Sequence, residues 1–278
     1  MKRFLLSFRR QGAVTPEPLE TDLVKLGILK KQISEFTNSD IGTEVTIPYS
    51  NKGSGISGPI VFEVVGVNHH TTTEYQKTIT LMTKNIIRKA AFDAKEPSNP
   101  DSHRKNNGNN RWSVSNIRQW LNSSGAAGSW WTAQHDYDAP PTSGNVFDAA
   151  GAYADAPGFL AGFSANVLQH FTDITNKTVL YKDDGGGSET TVDKVFLPSN
   201  TEMGLGNNSE GSHLSVRYPD NNSRIKQLNG SNDIYYTRSP YALMKSSLVL
   251  CVLQSGESSF SHLMASSGYG IAPIIVLH

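Results

Sequence analysis

Residues 248–253, LVLCVL, are apolar at every position. A strand built from them has no face suited to water, so it belongs inside a sheet covered on both sides. From Gly42 onward TEVTIPY, PIVFEVVGVNH and KTITLMTKNII carry β-branched residues in alternating or continuous runs bounded by Gly and Asn, the pattern of paired strands. The closing IAPIIVLH repeats it. The single cysteine, Cys251, sits in the first of these segments, which makes it a buried, inert thiol and rules out an internal disulfide.

Composition agrees with short strands joined by long polar loops. The charged fraction is 18%, and the 24 Gly are accompanied by many Asn, Ser and Thr, a balance that suits an extracellular or virion protein. Lys+Arg and Asp+Glu each total 25, so no basic field exists to gather nucleic acid. The opening MKRFLLSFRRQ has too short an apolar run for a signal peptide or a membrane span. Membrane insertion is therefore not expected, and release by lysis within a phage particle is the consistent route to an extracellular setting. At 278 residues the chain is read as one main core with an appendage.

That appendage is residues 1–40. Lys2, Arg3, Arg9 and Arg10 make its tip basic, and Pro16 and Pro18 hold an extended lead. From Thr21 a helical stripe is predicted, with Leu19, Leu23, Leu26, Leu29, Ile33 and Phe36 at steps of three or four. Such a stripe needs a partner. It either packs on its own domain or forms an anchoring or oligomerising arm that docks the chain onto other virion proteins or symmetry mates.

Residues 53–58 contain G-x-G-x-x-G, but the motif leads into a strand instead of opening a helix, so it reads as a hairpin loop and not as a dinucleotide site. Residues 111–122, RWSVSNIRQWLN, predict a short helix capped by Ser113 or Ser115, with Ile117, Trp120 and Leu121 buried together. A second helix is predicted over residues 157–171, where Leu160, Phe163, Val167 and Phe171 share a face. TVLYKDDGGGSETTVDKVFLPS then reads as two strands around a Gly-rich turn at residues 183–187.

Four landmarks in order, RWSVSNIRQWLN, DKVFLPSNTE at 193–202, YYTRSP at 235–240 and GYGIAPIIVL at 268–277, carry a resemblance. The chain resembles a domain family of unknown function found in Gram-positive bacteria and their phages. The matching positions are Trp112, Ser115, Ile117, Arg118, Trp120, Leu121 and Asn122; Asp193, Val195, Phe196, Leu197, Ser199 and Glu202; Arg238, Ser239 and Pro240; and Gly270 with Pro273. The resemblance covers residues 42–278 and departs from the family pattern at Ile271–Ala272, where Ala272 replaces an arginine. It implies a relative of the C-type-lectin and formylglycine-generating-enzyme fold. That is an α+β domain over residues 41–278, with a twisted antiparallel sheet, two flanking helices, long loops, and chain ends meeting in the sheet.

Arg118 and Arg238 offer planar forks for an anionic ligand, but bracing loops through carboxylates such as Asp193 or Glu202 is the favoured expectation. Trp130 and Trp131 are the candidates for an exposed stacking platform for a sugar ring, with Asp136, Tyr137 and Asp138 as polar contacts; the competing arrangement has an indole plugging the core. Glu96, Asn99 and Asp101 resemble a lectin calcium loop that fails at Ser98, and the eight histidines lack ligand spacing, with His69 and His70 expected on opposite faces of a strand end. No metal or cofactor is expected. Cys251 and the missing G-x-S-x-G elbow speak against an enzyme.

The leading expectation is a non-enzymatic phage virion protein of tail, baseplate or capsid surface, present in repeated copies and binding a host glycan or receptor. The alternatives are a Gram-positive surface adhesion module and, from another class, a loop-cleft enzyme.

Overall fold

The computed structural model describes residues 22–206, 209–241, 245–259 and 263–278. The period-two segments form strands as predicted. In chain order they are β1 (Glu44–Ile47), β2 (Ile60–Val67), β3 (Ile79–Thr83), β4 (Arg88–Ala90), β5 (Ile174–Val179), β6 (Ser188–Asp193) and β7 (Val195–Phe196). They continue as β8 (Gln227–Leu228), β9 (Ser231–Asn232), β10 (Tyr235–Pro240), β11 (Val249–Val252), β12 (Tyr269–Ile271) and β13 (Ile274–Leu277). Four short helices lie among the described residues: α1 (Ser102–Asn107), α2 (Asn116–Leu121), α3 (Ala165–Leu168) and α4 (Asn221–Arg224). The chain is thus a mixed α/β protein dominated by sheet, and none of these helices is long and apolar enough to cross a membrane.

One sheet has the order β1-β2-β3-β13-β7, all antiparallel, so the segments nearest the two ends of the domain share it. β3 and β13 are buried at every position, as runs without polar alternation require. A second sheet, β11-β10-β12-β4, includes a parallel pair between β10 and β12, so the single antiparallel sheet expected from the sequence is replaced by two principal sheets. Cys251, on β11, is fully buried. β5 and β6 form a separate hairpin whose alternating exposure leaves one face in water, turned by Gly185, Gly186 and Gly187 at positive φ.

The predicted helix over 111–122 is divided into a single 3-10 turn, Trp112–Val114, and α2. Ser115 caps α2 by accepting from the Arg118 N–H, and Ile117, Trp120 and Leu121 are fully buried. The second predicted helix is broken into a 3-10 turn, Phe159–Gly162, followed by α3. Its physical reason is Gly162, where a Cβ would lie 2.2 Å from the Tyr49 ring; the Gly162 carbonyl accepts from Ser50 N–H instead of continuing a helix. The apolar stripe is real, but the backbone beneath it comes too close to β1's continuation for a helix.

The N-terminal helix is also corrected. Residues 22–40 form turns and two 3-10 turns, Ile33–Glu35 and Asn38–Asp40, with no α-helix. Gly27 takes a left-handed conformation at φ 71° and ends the first turn, which a count of apolar spacing alone does not register. Leu23, Ile28, Leu29 and Phe36 are nevertheless buried in the main core, so this part belongs to the domain. The basic tip and Leu19 lie outside the described residues.

Two ion pairs, each with its carboxylate buried, tie the landmarks together. Arg118 Nε donates to Asp193 Oδ1 at 2.6 Å, and Arg238 Nη1 donates to Glu202 Oε2 at 2.7 Å with both side chains 1% exposed. These arginines brace the structure, as favoured from the sequence. Burial alone would raise the Glu202 carboxyl, but Arg238 and His70 outweigh it and hold it well below the usual range.

Replacing Arg238 with Met leaves Glu202 buried without its counter-ion and should cost about 3–5 kcal/mol in urea unfolding; adding Glu202→Met should recover part of the loss. A depressed folded-state pKa contributes stability above the unfolded value and loses it as pH falls. The stabilisation from Glu202 should therefore be complete above pH ~4.5 and decline below it, and Glu202→Gln should flatten that acid limb in unfolding measured from pH ~6 to pH ~3.

Candidate functional site

A cleft of about 410 Å³ opens beside α2, lined by Ser113, Ser115, Arg118, Gln119, Asn122, Ser123, Ser124, Trp130 and Gln134. Its wall is the outer face of the helix, where Ser115, Arg118, Gln119 and Asn122 recur at helical spacing opposite the buried Ile117, Trp120 and Leu121. Asn122 fixes one end. Its side chain accepts from Lys194 and Val195 N–H at 2.9 and 3.1 Å and donates to Val195 O at 2.8 Å, imitating a strand partner.

The opposite wall is the loop over residues 129–138. Gln119 holds it in both directions, donating to Thr132 O at 2.8 Å and accepting from Thr132 N–H at 2.7 Å. Asp138 accepts from Gln134 N–H at 2.8 Å and from Asn116 Nδ2 at 3.1 Å, which folds the loop back on itself. Below it lies an acidic group, Asp93, Glu96 and Asp138, each carboxyl pushed upward chiefly by burial. Asp93 is answered by the N–H groups of Asn109 and Asn116, at 3.0 and 2.9 Å.

The proposed stacking platform is not formed by Trp130. That indole is 4% exposed and stacks flat on Tyr153, with ring centroids 5.3 Å apart and planes 4° from parallel. Its burial supplies apolar contact under an otherwise polar loop. Trp131 is half-buried, Asp138 is turned inward, and of the five predicted residues Asp136 and Tyr137 alone are exposed. The five predicted residues thus share one loop but not one face. Gln119, Ser123, Ser124 and Gln134 were missed because isolated polar side chains near a helix end carry no pattern; the signal was the polar outer stripe of α2.

Trp130 still lines the cleft. Its Nε1 and the Ser113 Oγ are buried atoms with no hydrogen-bond partner, and both residues line the same cavity. Buried donors are ordinarily paired, so these two are exceptions; both atoms are closed off from solvent, and the groups that would meet a ligand are those of the other walls. The other walls offer hydroxyls, carboxamides and a guanidinium already engaged by Asp193. Such a lining suits a hydroxyl-rich neutral molecule better than a strongly charged one.

The calcium-like loop is committed elsewhere. Glu96 accepts from Asn99 and from Asn109 Nδ2, while Asp101 caps α1 through His103 N–H at 2.8 Å. Among the described residues no group of three or more His, Cys, Asp and Glu could hold a metal ion. His69 and His70, expected on opposite faces, instead meet with ring centroids 4.7 Å apart, because the chain bends after β2. His70 then reaches Glu202 Oε1 at 3.1 Å.

The fold and cleft define a sheet-rich α/β domain carrying a polar pocket on its signature helix. Residues 76–278 match DUF6273, a domain of unknown function, and the chain belongs to that family. No curated protein and no solved structure matches the chain.

Gln119→Ala should remove both tethers of the loop at a cost of about 1 kcal/mol and accelerate hydrogen exchange at the Thr132 amide, with little change in amides of β13.

Proposed function

We propose that the chain is a non-catalytic recognition protein of a phage particle, binding a carbohydrate of the host surface in the cleft beside α2. The observation that carries this reading is the cavity itself, lined by hydroxyls and carboxamides, with its one guanidinium already engaged by Asp193. A sugar presents alternating hydroxyl donors and acceptors to such a surface, and the rigid lining limits the ordering lost on binding. In this proposal the scaffold is a distant form of the C-type-lectin arrangement, supported by its two ends sharing a sheet and by long loops displayed from it.

A non-catalytic role is favoured by where the reactive groups lie. Burial pushes the Cys251 thiol well up, away from the thiolate needed for nucleophilic or oxidative chemistry. Arg118 and Arg238 are committed to Asp193 and Glu202. Repeated copies on a particle would multiply a weak single-site affinity through avidity.

Ser124→Ala and Gln134→Ala each remove an exposed polar side chain from the cleft wall while leaving the core packing in place. Either should weaken binding of host cell-wall polysaccharide about three- to tenfold by titration calorimetry, with an unchanged melting temperature. Wild-type affinity in both variants would overturn the assignment of the cleft, and absence of the protein from purified particles in immunogold microscopy would overturn the virion setting.

A further inference from the structure

A larger cavity, about 540 Å³, lies on another part of the fold and has a different chemistry. It runs between the start of β2, the connection from β3 to β4, and the tip of the β8–β9 hairpin. Its charged lining consists of Lys84, Arg88 and Lys89, with no carboxylate; the carboxamides of Asn85, Gln227 and Asn229 complete the polar surface.

Arg88 is the central group. Its guanidinium donates to the carbonyls of Lys89 at 2.9 Å, Ala152 at 3.2 Å and Ser54, and it lies 5.5 Å from the rings of Trp120 and Tyr153. Carbonyl oxygens and ring faces orient an arginine without cancelling its charge, and no carboxylate among the described residues pairs with it. Of five N–H bonds, these contacts use three, which leaves two of the fork. Gly55 makes this close fit: it sits at φ 75°, and a Cβ there would lie 3.5 Å from Arg88 Nη1.

A second uncompensated cation stands behind the wall. Lys226 is 3% exposed and donates to the carbonyls of Thr83 and Lys84, again without a carboxylate. Burial disfavours both charges, lowering Arg88 from its ordinary value and Lys226 to about 7. Lys84 and Lys89 at the rim are paired with Glu44 and Asp233. Of the cations lining the groove, Arg88 is therefore the one without a carboxylate partner among the described residues.

We propose that this groove binds an oxyanion group, phosphate or carboxylate, carried on a polar polyol or sugar. Arg88 receives the anion on its free fork, Lys89 and Lys84 close over it from the rim, and the carboxamides of Asn85, Gln227 and Asn229 take the hydroxyls of the carrier. The site is separate from the neutral cleft beside α2, so the two together would read a polymer that alternates neutral and acidic units.

The test is titration calorimetry of the full chain in low-salt buffer with inorganic phosphate, glycerol phosphate, glucuronate and glycerol. Binding of the anionic probes but not glycerol is expected, weakened by added salt; the tighter of glycerol phosphate and glucuronate identifies the group. Arg88→Gln should reduce affinity about tenfold or more. Because Arg88 also braces the Ser54 and Ala152 carbonyls, the double variant Lys84→Gln/Lys89→Gln serves as the second arm, with a loss of about threefold at unchanged melting temperature. Ser124→Ala should leave anion binding intact, which separates failure here from failure of the carbohydrate cleft. Absence of saturable binding to every anion, or equal affinity in the double variant, would overturn the proposal.

Discussion

A carboxylate removed from water persists only when its oxygens are answered by donors, and Asp193 is answered by four. It accepts from Arg118 Nε, Trp112 Nε1, Asn176 Nδ2 and Thr191 Oγ1, while 1% exposed. Those donors come from the turn before α2, from α2 itself, and from both strands of the β5–β6 hairpin. One buried charge therefore fixes the register of three elements. The same chain segment continues into β7, where Asn122 completes the backbone pairing that α2's end interrupts.

Nine residues along, Glu202 repeats the device. It accepts from Ser199 N–H, from both terminal nitrogens of Arg238 and from His70, joining the segment after β7 to β10 and to the bend after β2. The segment 193–202 thus has an anion at each end, each gripped by an arginine from a different part of the fold. Removing one partner is expensive because the other stays buried and charged. This explains why Trp112, Arg118, Asp193, Glu202 and Arg238 occur as a set: they are the two halves of two contacts.

Much of this was legible in the sequence. Apolar runs located the strands, Ser113 or Ser115 bracketed the start of α2, and the chemistry of a guanidinium pointed to Asp193 and Glu202 as bracing carboxylates without assigning which arginine meets which. What the sequence hid were places where backbone meets backbone. Gly27 ends the first turn of an otherwise helical stripe, and Gly162 gives way to Tyr49, yet neither alters the apolar period that predicts a helix. The same limit applied to the site. Trp130 and Trp131 are adjacent, but burial of one and half-burial of the other follow from Tyr153, which lies 22 positions beyond Trp131 and whose ring covers Trp130. No local pattern encodes that stacking.

The distribution of charge gives the domain its division of labour. Where an arginine meets a buried carboxylate, as at Arg118 and Arg238, both are consumed in holding the scaffold and little field reaches outward. Beside Arg118 the remaining polar groups are neutral hydroxyls and carboxamides, so under the proposed reading the cleft would discriminate by hydrogen-bond geometry. Where an arginine meets only carbonyls and rings, as at Arg88, its orientation is fixed but its charge is not cancelled. A pre-oriented charge loses little freedom when it takes an anion, so it is suited to recognition for the same reason that Arg118 is not. On the proposals made above, identical side chains would serve as brace or receptor according to whether a carboxylate has been buried beside them.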